Sequence, residues 1–275
     1  MIEWRFIDSG PLDGASNMAV DEALLNCFDP ESSQPVFRIY VWEPPALSLG
    51  RFQKAGDILD PLRCRTAGIP VVRRITGGGV IYHAEELTYS LVCSPRHIPP
   101  TVSIKESFRV LTSFLIRFYA ALGLYPSYAA DSPISSPLGM RSTFCFAGRE
   151  TYDIIIDGRK IGGNAQRRLK NVIFQHGSIP VVNVARVGAS FLCEPPAGIE
   201  EGVTSLRDLG VKEGVDALKR LMSGAFADTV PAILRKDLLT DEEERLAASL
   251  AKEKHSSTSW VWEGTDSLNE TPISH

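Results

Sequence analysis

The sequence lacks several things, and each lack removes a class of explanation. Its five cysteines (Cys27, Cys64, Cys93, Cys145, Cys193) are odd in number and scattered. None forms a Cys-x-x-Cys pair, so neither a disulfide framework nor a zinc-ligand spacing is present and no metal site is expected. The economical expectation is a reduced, cytoplasmic protein. Positive charge is not in excess: the formal net charge is -4, so only a local basic patch would draw a polyanion, and nucleic acid is not an expected partner. No apolar run approaches the roughly 18 residues of a membrane span. The opening stretch, MIEWRFIDSG, has no basic start, apolar run and cleavage site, so no signal peptide is expected. Phosphate-binding signatures are missing too. No Gly-Lys-Ser/Thr follows the glycine-rich stretch, and G-x-G-x-x-G spacing is absent. Repeats, long linkers and abrupt shifts of charge are absent as well. The 275 residues are therefore expected to form one domain, 1–275, with a core at about 30–230 and a C-terminal helix at about 240–255.

What remains alternates between helix-like and strand-like patterns. NMAVDEALLNCF (17–28) sets Met18, Ala19, Ala23, Leu24 and Leu25 at helical spacing, with acids at Asp21 and Glu22. VFRIYVW (36–42), GIPVVRRI (68–75), ELTYSLVC (86–93) and NVIFQHGSIPVVN (171–183) read as strands. SIKESFRVLTSFLIRFYAALGL (103–124) opens on a capping serine with Glu106 three residues on and closes on Gly123, which predicts a helix. Asp157-Gly158 is a favoured two-residue turn between β runs. TDEEERLAASLAKEKH (240–255) places acids first and lysines last, as the helix dipole favours, and its acids are expected on solvent. The expected fold class is α+β: a mixed, largely antiparallel β-sheet core flanked by helices.

Four short stretches carry residues capable of chemistry. In RRITGGGVIYH, Arg73 and Arg74 precede Thr76 and three consecutive glycines, Gly77 to Gly79, with His83 close behind. Bare backbone N–H groups there can cradle an anion or a flat ligand group, and the plain alternative is a corner that needs glycine. In GRKIGGNAQRR, Lys160 precedes Gly162-Gly163, and glycine within a strand marks a bulge or a close approach by a ligand. In TFCFAGRE, Cys145 is either an apolar plug or a nucleophile that needs a neighbouring cation. Lys160 follows it by fifteen residues and could fold back to it, with His83 and His176 as rival partners. In FQHGSI, His176-Gly177 interrupts a strand.

Taken in order, NMAVDEALL, YVWEPPALSLGRFQ, VVRRITGGGVIYHAEELTYSLV, GRKIGGNAQRR and QHGSI resemble the successive motifs of the biotin/lipoate protein ligase and lipoyl-transferase superfamily, over about residues 17 to 180. The segment CFAGRETYDIIIDGRKIGGNAQ is similar to the cysteine-bearing segment of the octanoyltransferases common in Gram-positive bacteria. The resemblance implies an acyl chain in a tunnel beside the glycine loop and the lysine-bearing hairpin. It also implies an octanoyl group taken from acyl carrier protein through a cysteine thioester to a lysine of a lipoyl domain or glycine cleavage H protein. It places catalysis on Cys145 and Lys160. Substrate contact falls on Arg73, Thr76, Gly77, Gly78, Gly79, His83, Gly163, Asn164, Ala165, Gln166, His176 and Gly177. No cofactor is then needed, and a monomer is expected. The alternatives are an ATP- and Mg-dependent lipoate ligase, an amidotransferase, and a binding module without chemistry. One departure stands out: many relatives carry an Asp after the histidine, where this chain has Ala84.

Overall fold

Strand β1 (Ile2–Leu12) and helix α1 (Gly14–Asn26) open the chain, with Asp13 accepting from the Ser16 amide as N-cap. The computed structural model describes residues 1–101, 103–131, 150–196 and 198–266. There follow β2 (Val36–Trp42), β3 (Ala46–Leu49), the short helices α2 (Ala55–Ile58) and α3 (Pro61–Thr66), and strands β4 (Val71–Arg73), β5 (Ile81–His83) and β6 (Glu86–Cys93). Helix α4 (Ile104–Ala121) begins where Ser103 accepts from the Glu106 amide and ends before Gly123, whose φ is 77°. Next come β7 (Ser127–Tyr128), β8 (Ile154–Ile156), β9 (Arg159–Lys160), β10 (Gly163–Leu169) and β11 (Val172–Pro180). Short helices α5 (Ala185–Ala189) and α6 (Ile199–Gly202) lead to α7 (Val215–Thr229), β12 (Ala232–Lys236) and α8 (Asp241–Leu250).

Six strands form one sheet in the order β10-β11-β6-β2-β1-β12. β10, β11, β6 and β2 are joined by antiparallel ladders, while β1 runs parallel to both β2 and β12. The mixed, largely antiparallel sheet agrees with the pattern read from the sequence. The residues before 13, which the sequence reading gave no element, are an interior strand of it.

Side chains alternate across a strand, and here the alternation sorts chemistry by face. Phe37, Ile39, Leu87, Tyr89 and Leu91 point to one side, where Phe114, Leu115 and Phe118 of α4 and Leu218, Met222 and Phe226 of α7 complete an apolar core. Phe37 and Phe226 stack with centroids 4.2 Å apart, and Trp4 meets Phe226 edge-on at 4.9 Å. The intervening residues, Arg38, Tyr40, Thr88, Ser90, His176 and Ser178, are buried and polar. They share their side of the sheet with α1. α1 is buried nearly all round, acids included, because α8 and the turns after it pack over it.

A second, three-stranded sheet, β4-β3-β5, carries the glycine stretch between β4 and β5. The β8–β9 hairpin turns on Asp157 and Gly158, whose φ angles of 49° and 76° are the left-handed pair expected of a two-residue loop. Gly162, also left-handed at 74°, lies so close to the Ser178 carbonyl that a Cβ would collide with it. It is the neighbouring strand, β11, that makes the close approach.

Two sequence expectations change. Glu243 is not on solvent: it is buried, completes a capping box with Thr240, and takes Arg5 at 2.6 and 2.8 Å. Lys254 is not a free dipole-balancing lysine, for it is buried against Glu22. Truncating Phe226 to Ala removes one side of the aromatic stack and should destabilise the protein by about 3–5 kcal/mol, read as a lower urea midpoint with unchanged slope.

Candidate functional site

The polar face of the sheet, the β3–β5 corner and the start of β10 enclose a pocket of about 400 Å³ of empty space, open solvent at its mouth included. Tyr40, Trp42, Thr88 and Ser178 come from the sheet, and Ile81 and His83 from β5. Gly77, Gly78 and Arg74 form the loop wall, and Gly163, Asn164, Ala165, His176 and Gly177 the wall of β10 and β11. The lining is mainly apolar, with a few convergent polar groups, as small-molecule sites are.

Two buried networks hold that wall in place. The first starts at Asp21, which is 1 % exposed. Its carboxylate takes Arg38 Nη1 at 2.7 Å, Ser90 Oγ at 2.7 Å and Tyr40 Oη at 2.9 Å. His176 Nδ1 faces the same carboxylate at 3.6 Å, and His176 Nε2 lies 2.7 Å from Thr76 Oγ1. With the ring proton on the carboxylate side, Nε2 is left to accept from the Thr76 hydroxyl. Burial, aided by Arg74 and His83, lowers the His176 pKa against the pull of Asp21, so the imidazole is neutral at pH 7. Burial also works against ionisation of Asp21, but Arg38 and His176 outweigh it and hold its pKa below the usual value.

The second network starts at Glu86. It accepts from His83 Nδ1 at 2.7 Å, Thr88 Oγ1 at 2.6 Å and Ser178 Oγ at 2.5 Å. His83 stacks on Trp42 at 3.8 Å, and its Nε2 is left to accept from Ser48 Oγ at 2.6 Å. Arg74 donates to Ser48 Oγ at 2.6 Å and to the carbonyls of Gly77 and Gly79 at 3.2 and 2.9 Å. The carboxylate that orients His83 thus sits three residues on, at Glu86, and not at the position that Ala84 fills. Of the three glycines it is Gly78 whose backbone calls for glycine, and Gly50 behind it must be bare as well. Gly78 has φ of 101°, and a Cβ on Gly50 would strike its carbonyl from behind.

Of the residues expected from the sequence, Gly77, Gly78, His83, Gly163, Asn164, Ala165, His176 and Gly177 come together around the pocket. Asn164 accepts from Tyr89 Oη at 2.8 Å. Thr76, Gly79, Gln166, Arg73 and Lys160 are not among the lining residues. Thr76 stands behind His176, and Gln166 donates to Gln175 Oε1 at 3.0 Å. Arg73 is spent on backbone carbonyls. Lys160 is buried with its Nζ 2.8 Å from Asp153 Oδ2. Cys145 lies outside the described residues. Asp21, Arg38, Ser48 and Glu86, which hold the wall, were not expected from the sequence, whereas Arg74 stood in the glycine stretch already singled out. The signal for Arg38 was present, since a charge inside the apolar run VFRIYVW demands a buried partner.

The mixed sheet with a glycine-walled, mainly apolar pocket on its polar face is a fold shared with solved lipoate-protein ligases. The model of the lipoyl protein ligase A/B catalytic domain family matches residues 13–227, and the chain belongs to that family. It is 33% identical to octanoyltransferase LipM of Halalkalibacterium halodurans over 275 residues, covering 94% of this chain and 99% of that one. A crystal structure of lipoate-protein ligase A bound with ATP superposes with a TM-score of 0.81 at 25% identity, covering 96% of this chain and all of that one. A lipoate protein ligase from T. acidophilum with bound lipoic acid gives a TM-score of 0.79 at 25% identity, over 95% and 100% of the two chains.

Asp21 and Glu22 give the site an acid limit. Burial opposes the ionisation of Glu22 too, but His255 and Lys254 prevail and lower its pKa. A carboxylate with a depressed folded pKa contributes stability that is complete above its unfolded value of about 4 and lost as pH falls through the folded one. Unfolding free energy should therefore begin to fall as pH drops below about 6.5, where the unfolded chain protonates a histidine that the fold keeps neutral, and fall further below about pH 4 as Asp21 and Glu22 take up protons. Asp21→Asn strands Arg38 in the interior. It should cost about 3–5 kcal/mol at pH 7 and flatten the acid-side slope, as measured by urea unfolding across that range.

Proposed function

We propose that this protein is an octanoyltransferase of lipoate biosynthesis that works through an acyl-enzyme. The Cys145 thiolate attacks the thioester carbonyl of octanoyl-acyl carrier protein. The C–S bond to the carrier arm breaks, and the arm leaves as a thiolate that takes its proton from solvent. The ε-amine of a lysine on a lipoyl domain or glycine cleavage H protein then attacks the Cys145 thioester. Cys145 leaves as thiolate, and the amine proton passes to a base. A thioester is already activated, so no ATP is required. The observation that carries this reading is the full-length similarity to an octanoyltransferase, joined to a mainly apolar pocket walled by bare glycine backbone.

Individual roles follow from placement. Tyr40, Trp42 and Ile81 offer apolar surface to the acyl chain. The loop at Gly77 and Gly78 lets the acyl carbonyl lie against the backbone. Lys160, fixed by Asp153, is the cation assigned to lower the Cys145 thiol pKa and polarise the thioester. The other cysteines are poor rivals. None lines the pocket, and burial raises the thiol pKa of Cys27 and Cys64 and pushes that of Cys93 up to about 12. The chain acts as a cytoplasmic monomer on this reading. Among the described residues no helix is long and apolar enough to cross a membrane.

The structural match to an ATP-bound lipoate-protein ligase favours one rival, in which lipoate is activated as an adenylate. Incubation with octanoyl-acyl carrier protein should give an acyl adduct by intact mass that Cys145→Ala lacks. Pyrophosphate release from lipoate and ATP, with activity surviving Cys145→Ser, would instead establish the ligase.

A further inference from the structure

The family match stops at residue 227, yet the residues beyond it reach the glycine loop by a continuous path of hydrogen bonds. α8 runs on into a π-helical turn, Ala251–His255, and a second one, Ser259–Glu263, follows. Lys254 Nζ meets Glu22 Oε1 at 2.7 Å and Asp266 Oδ2 at 2.6 Å, over the face of Trp260 at 4.2 Å. His255 Nε2 meets the other Glu22 oxygen at 2.8 Å. Four charged or ionisable groups are thus desolvated together, which anchors this segment on α1.

From that anchor the path runs to Arg73, which is 0 % exposed. No carboxylate among the described residues lies within ion-pair distance of its guanidinium. Backbone carbonyls surround it instead: Trp260 at 2.8 Å and Val261 at 2.9 Å on one side, Gly50 at 3.0 Å, Arg51 at 3.0 Å and Gln53 at 2.7 Å on the other. The carbonyls at the end of a helical segment carry partial negative charge, so the C-terminal segment solvates the buried Arg73 charge where no carboxylate does. The Trp260 indole returns a bond to the Arg73 carbonyl at 3.1 Å. The 50–53 loop in turn backs the glycine wall: Arg51 donates its amide to Thr76 O at 2.8 Å, and Gly50 abuts Gly78.

We propose that the segment Ala251–Gly264 is a built-in strap that sets the position of the glycine loop, with Arg73 as the positioning residue and the Glu22–Lys254 pair as the anchor. The six-stranded sheet is complete without the strap. Its contacts run to α1, β4 and α2, and β4 leads directly into the glycine loop. Arg73 acts through the loop and touches no substrate. The kinetic consequence rests on the acyltransfer reading above, whereas the structural consequence does not.

The test uses the full chain with two variants, Lys254→Met, which leaves Arg73 intact, and Arg73→Lys, which keeps the charge and loses the fork. Amide hydrogen exchange of Arg51 and Arg74, bonded to Thr76 and Leu49, should speed by about tenfold or more in both variants while β6 and β11 stay protected. Acylation of Cys145 at saturating octanoyl donor should slow by at least about tenfold, because a displacement near 1 Å at a reacting group costs that much or more. Unchanged protection at Arg51 and Arg74, or protection lost equally across β6 and β11, would overturn the proposal. A wild-type chain that takes no acyl group would count against the acyltransfer reading, and the exchange result would still decide the strap.

Discussion

The pairing of Asp21 with Arg38 is the contact on which the rest of the site depends. Both side chains are removed from water, and neither is tolerable there alone. Holding them together fixes the depth and rotation of α1 against β2. The remaining oxygen positions of Asp21 then take a serine from β6 and a tyrosine from β2, and face a histidine on β11. One carboxylate thereby ties three strands and a helix into a single rigid floor. Substituting apolar side chains there could keep the packing, but nothing would then orient His176 toward Thr76.

The pocket is bounded by two such systems that begin on different elements and end on the same loop. Asp21 reaches it through His176 and Thr76, and Glu86 reaches it through His83, Ser48 and Arg74. Glycine backbone is soft by nature, so a wall made of it needs external support if it is to hold a carbonyl in register. That support comes from Arg74 on the carbonyls of Gly77 and Gly79 and from the Gly50 loop behind Gly78. The cost of three adjacent glycines is thus offset by fixing them on both sides.

Local signals were read well where a side chain answers a neighbouring backbone group. Ser103 caps a helix, and Asp157-Gly158 turns a hairpin, because each involves atoms only two or three residues apart. The glycine loop, His83, the Gly163–Ala165 run and His176-Gly177 were legible as a set through the order of their motifs. Asp21, Glu22, Glu243 and Lys254 were not. Their charged partners lie between 12 and 238 residues away, and by spacing alone they look like solvated charges. β1 was invisible for a related reason: a strand inside a mixed sheet is defined by its parallel neighbours, which no local pattern announces.

By itself the sequence determined most of the helix and strand types, the turn chemistry, the family and eight of the residues that gather at the pocket, since propensity, capping and ordered motifs are properties of short segments. Tertiary structure alone decided which charges would be buried and what each would hold. Arg73 entered as a residue expected to touch substrate, and it stands instead among five carbonyls, two of them from residues 260 and 261. The reason is physical. A guanidinium satisfies its donors wherever acceptors converge, and that convergence exists only after the end of the chain has folded back across α1.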